Sequence, residues 1–209
     1  NEIGAVKKTE TEKSLFDLVE IWLERTPFLS FKGFNFWEKY SLSVRTMLKN
    51  EEEAIKNNPN FSVDEIDYHL TEHQNAINSF EAMIDKDKHD ELISKNKKRI
   101  SHKATQAALL IFLYRDEPIL HSPFNLLSRL MNMDELFTNW RQRHAIMVRR
   151  MIGSKIGTGG SSGHAYLNKT SESHKIFTDF ADLSTFFIPR SSLPELPDNI
   201  KRNLGYYYN

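Results

Sequence analysis

Apolar residues recur at intervals of three and four through most of this chain, a spacing that places them on one face of a helix. The pattern is clearest in a long amphipathic segment from residue 133 or 134 to 152. No stretch shows a convincing strand pattern, and no internal repeat is visible. The sequence therefore predicts an all-α fold, with these helices packed through their apolar faces.

Breaker and capping residues divide the pattern into segments. Asn57-Asn58-Pro59-Asn60 is a strong breaker, and Ser62 with Glu65 predicts a capping box at a helix start. The Ala-rich stretch Ala104–Tyr114 is expected to be fully buried. The predicted helices are Ser14 to the Thr26-Pro27 stop, Phe36 past Leu48, Ser62 to about Ile84, Ala104–Tyr114, Pro123 to about Met131, 133 or 134 to 152, and about Ser171–Phe187.

Charge and cysteine content exclude several classes of protein. Lys+Arg and Asp+Glu both number 28 among 209 residues, so the formal net charge is +0. A balanced chain has no broad basic field for a nucleic acid backbone or an anionic membrane. Without cysteine there is no disulfide, thiolate metal site or Cys nucleophile. No apolar run reaches the roughly 18 residues of a membrane span, and the N-terminal residues show no signal-peptide core. A cytoplasmic location is expected. The absence of an initiator Met fits a fragment or a processed chain.

His144 lies in the middle of the long amphipathic segment. A haem needs a neutral imidazole on its proximal side and an apolar wall around the macrocycle, and Trp and Met offer flat or soft surfaces of that kind. The alternative is a core histidine in an ordinary aromatic–Met stripe. The residues that share its helical face are Phe137, Trp140, Met147, Val148 and Met151.

A Gly/Ser loop, Gly157–Gly163, follows that helix directly. Four glycines in seven residues allow the backbone to approach a ligand closely, and its N–H groups and hydroxyls could bind a carboxylate or phosphate. The spacing is not that of a Walker loop, and no strand precedes it, so a dinucleotide fold is not expected. A flexible linker is the alternative.

Three other histidines have no metal-ligand spacing. His89, His102 and His121 are not arranged as in an HExxH pair. The stretch Lys86–Lys103 is dense in charges of both signs, which is typical of a solvated surface. These histidines are therefore expected to be surface residues.

Several blocks together resemble the tryptophan 2,3-dioxygenase family, in the family's order and over most of residues 14–190. Each block alone would be weak, but the combination is specific. The blocks are Trp22–Pro27, Gly33–Trp37, Ile100–Ala104 with Gln106-Ala107-Ala108, Tyr114–Pro118, Trp140–Ser154 with Gly157–Gly163 and Tyr166-Leu167, and Leu183–Arg190. The stretch 50–85 departs from the family.

The resemblance implies a helical, homotetrameric enzyme with one haem b per subunit. Such an enzyme opens the indole ring of L-tryptophan with O₂ to give N-formyl-L-kynurenine, the first step of the kynurenine route. His144 falls on the proximal iron ligand, and Trp140, with Met147 and Met151, would surround the haem. Thr158, beside Gly157, falls on the residue that contacts the amino-acid end of tryptophan.

The resemblance also implies sites outside this pocket. Trp22, Arg25 and Pro27 fall where some animal members bind a second, non-catalytic tryptophan. The distal histidine and the arginine that grips the substrate carboxylate are expected in an N-terminal part of the same protein, so no catalytic residue is expected in this chain. A non-catalytic helical haem-binding or assembly protein is the alternative function.

The expected organisation has three parts. Residues 1–13 are a lead-in, 14–190 are the C-terminal part of the haem dioxygenase domain, and 191–209 are a tail. A variable helical insertion is expected at about 50–100.

Overall fold

The computed structural model describes residues 12–26, 29–31, 33–153 and 176–205. The all-α prediction is confirmed. The α-helices are α1 (Leu15–Glu24), α2 (Phe36–Lys56), α3 (Val63–Ile84), α4 (Lys86–Ser94), α5 (His102–Leu113), α6 (Pro118–Ile152), α7 (Thr178–Asp182) and α8 (Asp198–Leu204), with 3₁₀ turns at Leu183–Phe186 and Arg190–Ser192. Within the described residues, none of the helices combines the length and apolar character needed to span a bilayer.

A short antiparallel ribbon precedes α2 and was not predicted. It pairs β1 (Ser30–Phe31) with β2 (Phe34–Asn35). Gly33 stands in the turn with φ +86°, a conformation that glycine adopts without a Cβ penalty. Two residues per strand are too few for an alternating pattern to be visible in the sequence.

The starts of α2 and α3 are fixed by side-chain caps. Asn35 Oδ1 accepts hydrogen bonds from the backbone N–H groups of Trp37 and Glu38 at 3.1 and 3.3 Å. At α3, Ser62 Oγ accepts from the N–H of Glu65 at 3.3 Å, and Glu65 Oε2 accepts from the N–H of Ser62 at 2.8 Å. The predicted capping box is therefore confirmed, because both reciprocal bonds are present.

Helices α2 and α3 form an antiparallel hairpin. Near one end, Trp37 Nε1 donates to the carbonyl oxygen of Ile84 at 3.3 Å. Further along, Nε2 of buried His73 lies 3.0 Å from the carbonyl oxygen of Leu48. Because the partner number falls as the α2 number rises, the two helices run in opposite directions. The breaker at residues 57–60 provides the turn between them.

Backbone contacts divide the chain into two compact units. The first unit takes Asn1–Val19 with Pro123–Asp182, and the second takes Glu20–Ser122 with Leu183–Asn209. In the second unit most of α5 is buried, as predicted: Ala104, Ala107, Ala108, Leu109, Leu110, Ile111 and Phe112. The Tyr40 hydroxyl of α2 donates to the carbonyl oxygen of Phe186 at 2.6 Å.

The prediction of two helices across residues 123–152 was wrong. Helix α6 is continuous for 35 residues, with Pro118 at its first position and Pro123 inside it. A proline at the first position loses no hydrogen bond, because that N–H has no partner within the helix. Leu120 and Leu127, seven residues apart and both fully buried, show that the apolar spacing continues across Pro123.

The C-terminal region also differs from the prediction. Where a helix was expected over Ser171–Phe187, α7 covers only Thr178–Asp182 and a 3₁₀ turn follows it, while residues 171–175 lie outside the described part. Helix α8 lies within residues 191–209, the expected C-terminal tail. Ile200 and Leu204 of α8 are both buried.

Candidate functional site

The side chains of Trp140 and His144 stack on one another along α6. Their ring centroids are 5.6 Å apart and their planes differ by 8°. Residues four apart lie one above the other on a helix, so the stack follows from the sequence spacing. The imidazole is half-buried, whereas Trp140 is 61% exposed.

The stack leaves the nitrogens of His144 accessible. An imidazole lone pair lies in the ring plane, whereas the indole covers a face of the ring. Within the described part of the chain, neither ring nitrogen of His144 forms a hydrogen bond or ion pair. The arrangement therefore presents an oriented imidazole whose in-plane lone pair can accept a metal or a hydrogen-bond donor.

The apolar side chains around His144 form an exposed stripe. Phe137, Met147 and Met151 are 48%, 50% and 75% exposed. The alternative of a histidine in an ordinary core stripe is thus not what the described chain shows. None of the described residues covers this apolar surface. An exposed apolar surface of this kind is typical of a contact with a ligand or with another protein.

A different face of α6 packs into the first unit. Its buried residues are Leu127, Asp134, Thr138 and Ala145. At 3.6 residues per turn, this face lies about a third of a turn from the stripe that contains His144. The buried residues and the exposed stripe therefore lie on separate faces of one helix, and a substitution in the stripe need not disturb the core.

Asp134 is a structural residue that the sequence analysis missed. Its buried carboxylate Oδ2 accepts a hydrogen bond from the backbone N–H of Phe177 at 2.5 Å, and its carbonyl oxygen accepts from Thr138 Oγ1 at 2.8 Å. The ring of Phe177 stacks on that of Phe180 with centroids 5.9 Å apart. The signal that could have identified Asp134 is an acidic residue on the same helical face as Leu127. The sequence analysis predicts only that a helix starts at residue 133 or 134.

The predicted substrate-binding residues Gly157 and Thr158 lie outside the described residues. The chain on either side of that segment is nevertheless fixed. Helix α6 ends at Ile152, the φ of +65° at the following Gly153 suits a glycine helix terminus, and Phe177 is bonded to Asp134. Both flanking positions are therefore anchored to α6.

The predicted second tryptophan site falls on the end of α1, in the second unit. Trp22 is half-buried, Arg25 is exposed, and the N–H of Arg25 donates to the carbonyl oxygen of Trp22 at 3.2 Å; Pro27 lies outside the described residues. The same helix is anchored to the start of α5, because Glu24 Oε1 accepts from Ser101 Oγ at 2.6 Å. The structure thus holds an indole and a guanidinium on one short segment.

The interpretation of His89 as a surface residue was wrong. Its side chain is fully buried, and its Nε2 lies 3.0 Å from the carbonyl oxygen of Ile100. His102 is half-buried, with its ring centroid 5.2 Å from that of His89, whereas His121 is exposed as expected. His89 contacts the backbone of Ile100 and the ring of His102, and the helical spacing of apolar residues does not indicate these contacts.

The electrostatics of His89 follow from these contacts. Because a carbonyl oxygen can only accept, Nε2 must carry the proton, so Nδ1 is the unprotonated nitrogen. Nδ1 has no hydrogen-bond partner within the described structure. Burial lowers the pKa of His89 below its ordinary value, and Lys98 and His102 lower it further. This histidine is therefore a neutral structural residue.

Comparison with known proteins identifies close relatives of the chain. Residues 1–187 match the family model described as tryptophan 2,3-dioxygenase. The chain is 45% identical to tryptophan 2,3-dioxygenase of Bdellovibrio bacteriovorus over 98% of this chain and 57% of the relative. It is 44% identical to the enzyme of that name from Dictyostelium discoideum, over 98% of this chain and 52% of the relative. The chain thus spans about half the length of these relatives.

Proposed function

The chain belongs to the tryptophan 2,3-dioxygenase family, and we propose that the full-length protein is a haem-dependent dioxygenase acting on L-tryptophan. The reaction adds both atoms of O₂ across the indole C2–C3 bond, which breaks to give N-formyl-L-kynurenine. The observation that carries the proposal is the oriented imidazole of His144 beside Trp140; the nitrogens of this imidazole have no hydrogen-bond partner among the described residues.

The residues present fit a haem b group. A proximal ligand needs a neutral imidazole with an accessible in-plane lone pair, and the edges of the His144 ring are free of protein partners in the described chain. A porphyrin also needs an apolar wall, and Trp140, Met147 and Met151 provide exposed apolar surface on the same helix. When bound, the haem supplies the activation of O₂.

The chain's own side chains hold and shield the reacting groups. Stacking against Trp140 restricts rotation of the His144 ring, so the ligand nitrogen is oriented before the cofactor binds. Phe137, Met147 and Met151 would exclude water from a haem held by His144. We propose that Thr158 and Gly157 bind the amino-acid end of tryptophan. Thr158 would contribute its hydroxyl, and Gly157 would let the backbone approach the ligand closely.

The remaining groups of the pocket are proposed to come from elsewhere. A distal histidine and an arginine for the substrate carboxylate would come from the N-terminal part of the same protein, in keeping with the half-length match to the relatives. Residues 14–190 would be the C-terminal part of the haem dioxygenase domain, with an insertion near 50–100. The assembly is proposed to be a cytoplasmic homotetramer.

We also propose a second, non-catalytic tryptophan site on α1. The half-buried indole of Trp22 would stack against the ligand, and the exposed guanidinium of Arg25 would pair with its carboxylate. Pro27 would complete the site. Both described side chains stand on a segment anchored by the bond between Ser101 and Glu24.

The test is turnover by the full-length protein with isotopically labelled O₂. Mass spectrometry should show N-formyl-L-kynurenine carrying both labelled oxygen atoms, with a Soret band in the protein's spectrum. A protein that binds haem and tryptophan but forms no product would instead be the non-catalytic haem-binding alternative. A protein that takes up no haem would contradict both.

A further inference from the structure

A groove lies between α2 and α3 in the second unit. Its volume is about 370 Å³. The floor consists of Val44, Leu48 and Phe80, which are at most 7% exposed, and half-buried Ile77 and Ile84 extend it. A cavity of this size with an apolar floor is within the range of small-molecule sites.

The acidic side chains at the rim of this α2–α3 groove are already occupied. Glu81 accepts a hydrogen bond from Lys88 at 2.9 Å, and Glu52 accepts one from Lys56 at 2.5 Å. Asp85 Oδ1 accepts from two backbone N–H groups at the start of α4, at 2.9 and 3.1 Å. Because each of the three carboxylates already accepts hydrogen bonds from the chain, these carboxylates do not indicate a cationic ligand.

The basic side chains at the rim, unlike the acidic ones, do not all have a partner among the described residues. Lys88 is held by Glu81, and Lys49 lies 3.9 Å from Glu53. Arg45 is exposed at the rim and has no hydrogen bond or ion pair with any described residue. The groove thus combines an apolar floor with a guanidinium that is available to a ligand. The planar guanidinium can donate two parallel hydrogen bonds to a carboxylate.

From this arrangement we propose that the α2–α3 groove binds a compact apolar monocarboxylate. The apolar body lies on Leu48 and Phe80, and the carboxylate pairs with Arg45. A phosphate or sulfate alone would leave the floor uncovered, and a neutral apolar molecule would leave Arg45 unpaired. This site is separate from the residues assigned to haem and tryptophan, so it does not rest on the proposed dioxygenase function.

The test uses the full-length protein and the probe naphthoate, with neutral naphthamide as its isostere. Isothermal titration calorimetry should show naphthoate binding that Arg45→Gln weakens roughly twofold to fivefold, about the value of one exposed charged pair. Ile77→Trp, which fills the groove, should abolish binding. Lys39→Gln removes the same charge from an exposed position of α2 outside the groove and should leave the affinity unchanged.

Each competing outcome overturns the proposal. Equal naphthoate affinity in the Arg45→Gln and Lys39→Gln proteins would exclude the guanidinium. Equal affinity for naphthamide would exclude carboxylate recognition, and a naphthoate-dependent Soret shift that persists in Ile77→Trp would place the ligand at the proposed haem site. An absence of measurable binding in the unsubstituted protein would refute the site. Thermal melts of all variants confirm that each is folded.

Discussion

The indole of Trp140 and the imidazole of His144 lie nearly parallel, with planes 8° apart and centroids separated by 5.6 Å. This stack stands on a face of α6 that does not pack into the first unit. The imidazole is thereby oriented by a neighbour on its own helix, and its orientation does not depend on the hydrophobic core. Ligand binding at His144 should therefore be separable from folding.

Replacing the stacked indole should weaken cofactor retention without unfolding the protein. Trp140→Ala removes an aromatic pair worth about 0.5–1.5 kcal/mol, so haem should dissociate roughly twofold to tenfold faster. Trp140→Phe keeps a stacking ring and should stay close to the unsubstituted rate. Haem transfer to an excess of an apo-haemoprotein acceptor measures both rates. Equal rates in the two variants would show that stacking does not orient His144.

The bond between Asp134 and the backbone N–H of Phe177 should contribute substantially to stability. Asp134→Ala leaves a buried N–H unpaired and should lower the free energy of unfolding by about 1.5–3 kcal/mol. Asp134→Asn retains an acceptor and should cost less. Urea unfolding measures these values, with exposed Glu135→Ala as the control. A loss no greater than the control's would contradict the assigned role.

Stability should fall in mild acid because of His89. Burial lowers its pKa in the folded state, so between the folded and unfolded values only the unfolded chain takes up the proton. The free energy of unfolding therefore decreases as pH falls below about 6.5, the ordinary histidine value, and its dependence levels off below the folded pKa.

Urea midpoints between neutral and mildly acidic pH test this account of His89. His89→Phe removes the titrating group and should flatten part of the pH dependence, whatever its effect on absolute stability. His121→Gln removes an exposed histidine and should leave the slope unchanged. Identical slopes in the His89→Phe and unsubstituted proteins would show that His89 does not carry the effect.

Substitution of Thr158 should affect substrate binding more than cofactor content. Loss of one hydrogen bond to a charged group is worth about 1.5–3 kcal/mol, so Thr158→Ala should lower kcat/KM for tryptophan roughly tenfold to hundredfold, mainly through KM. Haem absorbance should be unchanged. Thr158→Ser, which retains the hydroxyl, is the matched control. An unchanged kcat/KM in Thr158→Ala would remove this residue from the pocket.

The parts of the fold that were predictable are those with local signals. Helices α2 and α3 were correctly placed because the breaker at residues 57–60 and the Ser62–Glu65 capping box depend only on neighbouring residues. The burial of α5 followed from its continuous apolar composition. The proposed ligand face of α6 was visible for the same reason, since Trp140 and His144 are one helical turn apart.

The parts that were missed depend on contacts between distant segments. His89 bonds to the carbonyl oxygen of Ile100 and packs against His102. The charged residues around His89 in the sequence favoured an exposed position instead. The anchor from Asp134 to Phe177 joins residues 43 apart in sequence. The sequence predicts a helix start at Pro123 because proline is favoured at the first helical position, and no local signal indicates that Pro123 lies inside α6.

The most direct test of the central proposal is the haem content of the full-length protein carrying His144→Ala, beside a matched His121→Ala control. Because His144 does not belong to the buried face of α6, the variant should keep its circular dichroism spectrum and melting temperature. Our account predicts that it loses stable haem binding and turnover, while His121→Ala retains both. A folded His144→Ala protein with a normal Soret band and full turnover would contradict the assignment of His144 as the iron ligand.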